Sequence, residues 1–316
     1  MAAPARVITN DDLSKMVETS DEWIRTRTGI RERRVVGPGE NTSDLGLAAS
    51  REAMVRAGAS PEEIDLIIFC TISPDQLTPS TACILQAKLG AKNAAAVDVQ
   101  AACSGFVYGL SLARGAIVSG EASCVLLVAG ESISRFIDWS DRTTCILFGD
   151  AAGAMILRAS SNGRGILSTD LGSDGLNAGL ISIPAGGSSM PASHETVDGR
   201  LHFMKMSGAE VFKNGVRRMA SSMQKALEKA GVSVSDLDLF VPHQANKRII
   251  DAVGDSLGIP ADKVFLNLEK YGNTSAASIP VALHEAVMAG RLKPGDLVGV
   301  VAFGAGLTWG ASVVRW

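Results

Sequence analysis

Residues 53–69 read AMVRAGASPEEIDLIIF, and residues 226–242 read ALEKAGVSVSDLDLFVP. Each predicts a helix closed by Ala-Gly, a serine, a short acidic turn and then a buried strand. The likeness runs on. With Gly120 set on Gly290, AVDVQAACSGFVYGLSLARGAIVSG (96–120) aligns without gaps with the end of VFLNLEKYGNTSAASIPVALHEAVMAG (264–290), and Cys103 falls on Asn273. Apolar strands follow in both places, VLLVAG at 125–130 and LVGVVAFG at 297–304. A repeat on this scale predicts two similar α/β units related by a pseudo-twofold axis, divided at 1–164 and 165–316.

Composition narrows the function. At 316 residues and 46% hydrophobic content the chain can bury a substantial core. Thirty basic against 33 acidic residues leave a net charge of -3, which calls for neither nucleic acid nor an anionic membrane. No apolar run reaches the ~18 residues of a membrane span. The opening MAAPARVITNDDL lacks the apolar stretch of a signal peptide, so a cytosolic protein is expected. Five cysteines in apolar settings, with no C-x-x-C pair, predict neither a disulfide framework nor a metal site.

Three residues stand out as chemistry. Cys103 follows the strand AAAVDVQ and precedes a small-residue helix, where the helix dipole would favour its thiolate; Ala101, Ala102, Ser104 and Gly105 leave room for a substrate. His243 follows the strand LDLFVP, and in α/β units functional residues gather at the carboxyl ends of strands. Asn273 lies before the second small-residue helix, where it can equally serve a turn. The other cysteines read as packing residues, and His194, His202 and His284 as surface or structural ones.

Seven segments, TSDEWIRTRTGIRER (19–33), DVQAACSGF (98–106), DRTTCILFGDAAGA (141–154), MSGAEVFK (206–213), VPHQANKRI (241–249), EKYGNTSAAS (269–278) and AFGAGLTWGASVVRW (302–316), together resemble the β-ketoacyl-[acyl-carrier-protein] synthase III family, the priming condensing enzymes of bacterial fatty acid synthesis. The resemblance implies a thiolase-like fold, two halves forming a five-layered αβαβα core, and a homodimer. It implies decarboxylative condensation of an acyl-CoA with malonyl-acyl-carrier-protein through an acyl-cysteine, with no cofactor beyond the coenzyme A thioester that is the substrate. Carried over residue by residue, the triad maps onto Cys103, His243 and Asn273, and the oxyanion hole onto the backbone N–H groups of Cys103 and Ala305. The coenzyme A site maps onto Trp23, Arg27, Arg142, Gly208 and Asn246. Thr78, in SPDQLTPSTAC (73–83), would help set the depth of the partner's acyl pocket, and its small side chain predicts primers longer than acetyl. Lys213, Arg217 and Arg248 are expected to dock an acidic carrier protein.

Some features depart from the family pattern. Glycine is usual where Ala305 stands. Members usually begin with a strand ahead of ARVITNDDL, for which this chain offers no room, so a strand from the middle of a sheet is expected to be missing; the second half has its candidate first strand in GILSTD (165–170). Relatives of the same fold separate by residue type. A thiolase needs a second cysteine near the C-terminus, and elongating synthases carry a histidine where Asn273 stands. An acyltransferase of specialised metabolism using another acceptor and a non-catalytic binding protein of the same fold are the competing readings.

Overall fold

The computed structural model describes residues 1–316. In order along the chain lie α1 (Asp21–Thr28), α2 (Thr42–Ala57), β1 (Leu66–Cys70), α3 (Thr81–Leu89), β2 (Ala95–Val99), α4 (Gly105–Val118), β3 (Cys124–Glu131), β4 (Ala151–Arg158), β5 (Gly165–Ser173), α5 (Gly208–Ala230), β6 (Leu239–Pro242), α6 (Lys247–Leu257), α7 (Ser278–Met288), β7 (Leu297–Gly304) and β8 (Thr308–Arg315), with shorter turns between. The two Ala-Gly helix ends behave as their sequence demands: Gly58 and Gly231 close α2 and α5 in the left-handed region, at φ +59° and +68°.

Two four-stranded sheets result, ordered β2-β1-β3-β4 and β6-β7-β8-β5. β1 runs parallel to both β2 and β3, and β6 parallel to β7; the pairings of β3 with β4, β7 with β8 and β8 with β5 are antiparallel. Helices α4 and α7 lie between the sheets: α4 packs on β1 and β3 on one side and on β5, β7 and β8 on the other, and α7 on β4 and β6. Their sequences are apolar nearly all round because both faces are covered. Phe106, Leu110, Leu127, Val241, Ile279 and Val300 share the central core. Outside, α2 and α3 cover the first sheet, while α5 covers the second and α6 packs beside it. The stack is therefore αβαβα.

The repeat holds, but its register differs from the ungapped alignment around Cys103. Leu66 and Leu239, Ala102 and Ser275, and Cys124 and Leu297 begin matching elements, each pair 173 residues apart. On that spacing Cys103 corresponds to Ala276, not to Asn273. Helix α7 has 11 residues where α4 has 14, and a longer turn into β7 makes up the difference. Matching the glycines at the two helix ends had absorbed those residues.

The expected place of the first strand is also corrected. GILSTD opens β5, which lies at the edge of its sheet beside β8, not in the middle. The matching edge of the first sheet is β4, where Ala2 exchanges two 2.8 Å hydrogen bonds with Ala152.

Candidate active site

Two strand ends and two turns converge between the halves. The turn Ala102–Ser104 leads into α4 and the turn Ser275–Ala277 into α7, and the two turns pack on each other. Ala102 sits at φ +46°, a left-handed conformation that costs a non-glycine residue about 1 kcal/mol or more, and the next residue, Cys103, lines the central cavity. Gly304, at the end of β7, makes this possible: a Cβ there would stand 2.6 Å from the Cys103 nitrogen and 3.2 Å from its Cβ. Only glycine lets the strand approach so closely.

The thiol itself departs from expectation. The helix start was expected to favour the thiolate, yet burial pushes the Cys103 thiol up to about 12, and the nearby Glu131 carboxylate adds to the rise. Desolvation is the largest effect on the sulfur, and the Ser275 side chain and the Cys103 N–H oppose it only in part. Cys103 therefore rests as a thiol and must lose its proton as it reacts.

His243 is delivered by β6, its N–H donating to Val301 O at 2.8 Å. The ring is buried and lowered to about 3 by desolvation, so it is neutral. Nδ1 lies 2.7 Å from Ser278 Oγ, which also accepts from the Gln244 N–H at 3.3 Å. The Ser278 hydroxyl has no acceptor other than Nδ1, and giving its hydrogen there leaves the ring proton on Nε2 as a donor. Gln244 locks the segment: its amide donates to Pro242 O and Phe265 O, and its carbonyl accepts from the Asn267 N–H.

Asn273 is fixed by its backbone, whose N–H donates to Leu147 O at 2.8 Å and whose carbonyl accepts from the Gly149 N–H at 3.0 Å. Gly272, at φ +66°, precedes it because a Cβ would lie 2.6 Å from Leu147 O. The side-chain oxygen accepts from the Ser275 N–H at 2.9 Å, leaving the amide NH2 as the free end. Across the cavity the Ala305 N–H has no backbone partner, while its carbonyl accepts from Thr308 Oγ1 at 2.9 Å. Ala305 stays outside the left-handed region, so alanine fits there as well as glycine.

Cys103, His243, Asn273 and Ala305 all line one cavity of about 520 Å3, walled mainly by apolar side chains such as Phe148, Met204, Val211, Met219 and Phe303. Arg27, Gly208, Asn246 and Arg248 also line it. Ser20 caps α1, whose Trp23 carries the Arg27 guanidinium at 4.4 Å and the Arg142 guanidinium at 5.0 Å from its ring centre. Neither Trp23 nor Arg142 borders the cavity itself, although Thr143 does. Asn246 has less spare capacity than expected: it caps α6 by accepting from the Arg248 N–H and donates to Arg27 O. A Cβ on Gly208 would meet nothing within 4 Å, so the wall is open there.

Two sets fall outside. Thr78 is exposed, as is its 87%-exposed neighbour Leu77, and neither lines the cavity that holds Cys103. Lys213, Arg217 and Arg248 are exposed, form no salt bridge and sit on the adjoining helices α5 and α6; of the three only Arg248 reaches the cavity. Sequence reasoning missed Ser278, Gln244, Ser275 and Glu131. Ser278 and Ser275 stand inside the quoted EKYGNTSAAS, but a serine in a small-residue run carries no mark of its partner.

Two family models match the chain: 3-oxoacyl-[acyl-carrier-protein (ACP)] synthase III over residues 97–175, and its C-terminal counterpart over 227–316. The β-ketoacyl-[acyl-carrier-protein] synthase III of Symbiobacterium thermophilum is 55% identical over 316 residues, covering 100% of this chain and 96% of the relative. The chain belongs to the synthase III family. That of Roseiflexus castenholzii is 53% identical, with the same 100% and 96% covered. The crystal structure of 3-oxoacyl-[acyl-carrier-protein] synthase III from Aquifex aeolicus superposes with a TM-score of 0.92 at 47% identity, covering 100% of this chain and 97% of the other. The fold is thiolase-like, and the protein is an acyltransferase, a condensing enzyme.

Proposed function

We propose that this enzyme, which performs the priming condensation of an acyl-CoA with malonyl-acyl-carrier-protein, works by a ping-pong cycle on Cys103. The sulfur attacks the acyl thioester, forming acyl-Cys103 and releasing coenzyme A. Malonyl-acyl-carrier-protein then enters the same cavity. His243 Nε2–H and the Asn273 amide donate to its thioester oxygen, stabilising the enolate as carbon dioxide leaves. The carbanion attacks acyl-Cys103, whose oxyanion is held by the N–H groups of Cys103 and Ala305. The observation that carries this reading is the polarity of the two donors. Ser278 orients the histidine and the Ser275 N–H occupies the asparagine oxygen, so both present hydrogens to the cavity that holds the thiol.

Trp23, Arg27 and Arg142 are assigned to the adenine and phosphates of coenzyme A, with Gly208 and Asn246 along the pantetheine. Lys213, Arg217 and Arg248, which form no salt bridge, are assigned to an acidic carrier protein, and no resident cofactor is invoked. A cytosolic location is part of the same reading; no helix is long and apolar enough to cross a membrane. The working unit is a homodimer in which Thr78 reaches the partner's acyl pocket and leaves it deeper than acetyl requires. A survey of acyl-CoA chain lengths, following 3-oxoacyl-carrier-protein formation, tests the whole reading. Product should form with primers several carbons long, and Thr78→Phe should shorten that range. No product with any primer contradicts the condensation; a range unchanged by Thr78→Phe, or a monomer in solution scattering, contradicts the dimeric pocket.

A further inference from the structure

The two donors just described leave a proton unaccounted for. Cys103 rests as a thiol, and the base that would ordinarily take its proton, His243, already carries a hydrogen on the nitrogen that faces the cavity. Another acceptor is needed for acylation. Beneath the turn Ser275–Ala277 lies Glu131, the last residue of β3, wholly buried and paired with no cation. Its Oε2 accepts from Thr71 Oγ1 at 2.9 Å, Ser73 Oγ at 2.5 Å, and the N–H groups of Ile72 and Ser73 at 3.1 Å. Its Oε1 has only a long 3.3 Å contact with the Ile72 N–H. One carboxylate oxygen is saturated and the other is almost free.

Ser275 belongs to the turn that packs both on β3, which ends in Glu131, and on the turn that holds Cys103. Its backbone is held left-handed at φ +50°, its side chain borders the cavity, and its Oγ is buried with no hydrogen-bond partner. A buried hydroxyl without a partner costs about 1–3 kcal/mol and calls for a role. Burial raises both the Cys103 thiol and the Glu131 carboxyl, and the Ser275 side chain acts on each in the opposite direction. The titratable groups facing Glu131 are the thiols of Cys103 and of Cys70, the latter with Asp98 also acting on it.

We propose that Ser275 and Glu131 form a proton relay that deprotonates Cys103 during acylation. This rests on the reading of Cys103 as the acylated residue. The thiol proton passes to Ser275 Oγ as the Ser275 hydroxyl proton passes to Glu131 Oε1. The freed sulfur bonds to the acyl carbon, the bond from that carbon to the coenzyme A sulfur breaks, and the proton returns through Ser275 to the departing coenzyme A. The net change is one thioester exchanged for another, with Glu131 and Ser275 restored. His243 keeps its donor tautomer for the second half-reaction.

The test separates the half-reactions in Ser275→Gly, a change that suits the left-handed backbone and removes only the hydroxyl. Acylation of Cys103 by labelled acyl-CoA should slow by about tenfold to a hundredfold, as loss of general-base help does. Decarboxylation of malonyl-acyl-carrier-protein should fall much less than acylation, because glycine keeps the N–H that holds the Asn273 oxygen. Glu131→Gln discriminates further. If Glu131 were only a buried charge, its removal would ease ionisation of Cys103 and speed alkylation by iodoacetamide; the relay predicts slower acylation. Wild-type acylation in Ser275→Gly, equal loss of both half-reactions there, or faster acylation in Glu131→Gln each overturns the relay. Label on another cysteine in the wild type would instead overturn the assignment on which it rests.

Discussion

The two halves present the same framework with different side chains at the places where they meet. In the first half the turn Ala102–Ser104 rests on the end of β7, and there Gly304 gives way so that the Cys103 nitrogen can come within 2.6 Å of where a Cβ would be. In the second half the matching turn Ser275–Ala277 rests on the end of β3, and there the residue matching Gly304 is Glu131. Ala276 takes the place of Cys103, and His243 takes the place of Cys70. The difference shows how a duplicated fold divides labour. The first half contributes the nucleophile and the buried carboxylate of Glu131, while the second contributes His243, Asn273 and Ser275. Left-handed non-glycine residues at Ala102 and Ser275 are the shared device that turns both edges inward.

Breaking the first contact should have the largest effect. Gly304→Ala drives a methyl into the Cys103 backbone, and overpacking of this kind costs about 1–3 kcal/mol. Because it displaces an oxyanion donor as well, turnover should fall by more than about a hundredfold. Thermal unfolding together with turnover checks this, and wild-type values for both would mean that the close contact is not needed.

Next come His243→Ala and Asn273→Ala. Each removes a donor aimed at the enolate oxygen, a loss of about 3 kcal/mol or roughly a hundredfold, concentrated in malonyl decarboxylation. Acylation of Cys103 should change far less, as single-turnover measurements of the two steps would reveal. Equal damage to both steps would mean that these residues serve the sulfur instead.

A milder loss, about tenfold in decarboxylation, is expected of Ser278→Ala, since the histidine loses the partner that fixes its tautomer. The same burial sets a pH signature. With His243 lowered to about 3, its neutral donor form persists, and decarboxylation should stay flat between about pH 8 and pH 6. An apparent midpoint near 6.5 would contradict this. The sign for stability follows: the unfolded chain protonates this histidine below about 6.5 and the folded protein only near 3, so folding stability falls as pH drops through that window.

The smallest effect belongs to the rim. Arg248→Glu should raise KM for malonyl-acyl-carrier-protein by several-fold, more at low salt, and leave acylation by acyl-CoA unchanged. Unaltered KM at every ionic strength would place the carrier elsewhere.

Much of this was legible in the sequence. The repeat was readable because a glycine that closes a helix and an apolar strand that follows are local signals. Cys103 and His243 were readable because strand ends are where such folds place chemistry. The register around Cys103 was misjudged because the two central helices differ in length, which composition does not reveal. The desolvation of the thiol was not legible, because a helix start is visible in sequence and the burial of Cys103 is not. Glu131 ends an apolar strand and reads as its boundary; only folding brings it beneath Ser275, 144 residues away. Thr71, Ser73 and Ser278 are anonymous for the same reason, since each acquires its meaning from a partner on another element.

The central claim is that Cys103 alone carries the acyl group between the two half-reactions. Mass spectrometry of peptides after brief exposure of the intact enzyme to isotopically labelled acetyl-CoA tests it most directly. The label should sit on the peptide containing Cys103, vanish in Cys103→Ala while the fold persists, and be discharged when malonyl-acyl-carrier-protein is added. Label on Cys70, Cys83, Cys124 or Cys145, or condensation that survives Cys103→Ala, would contradict the account.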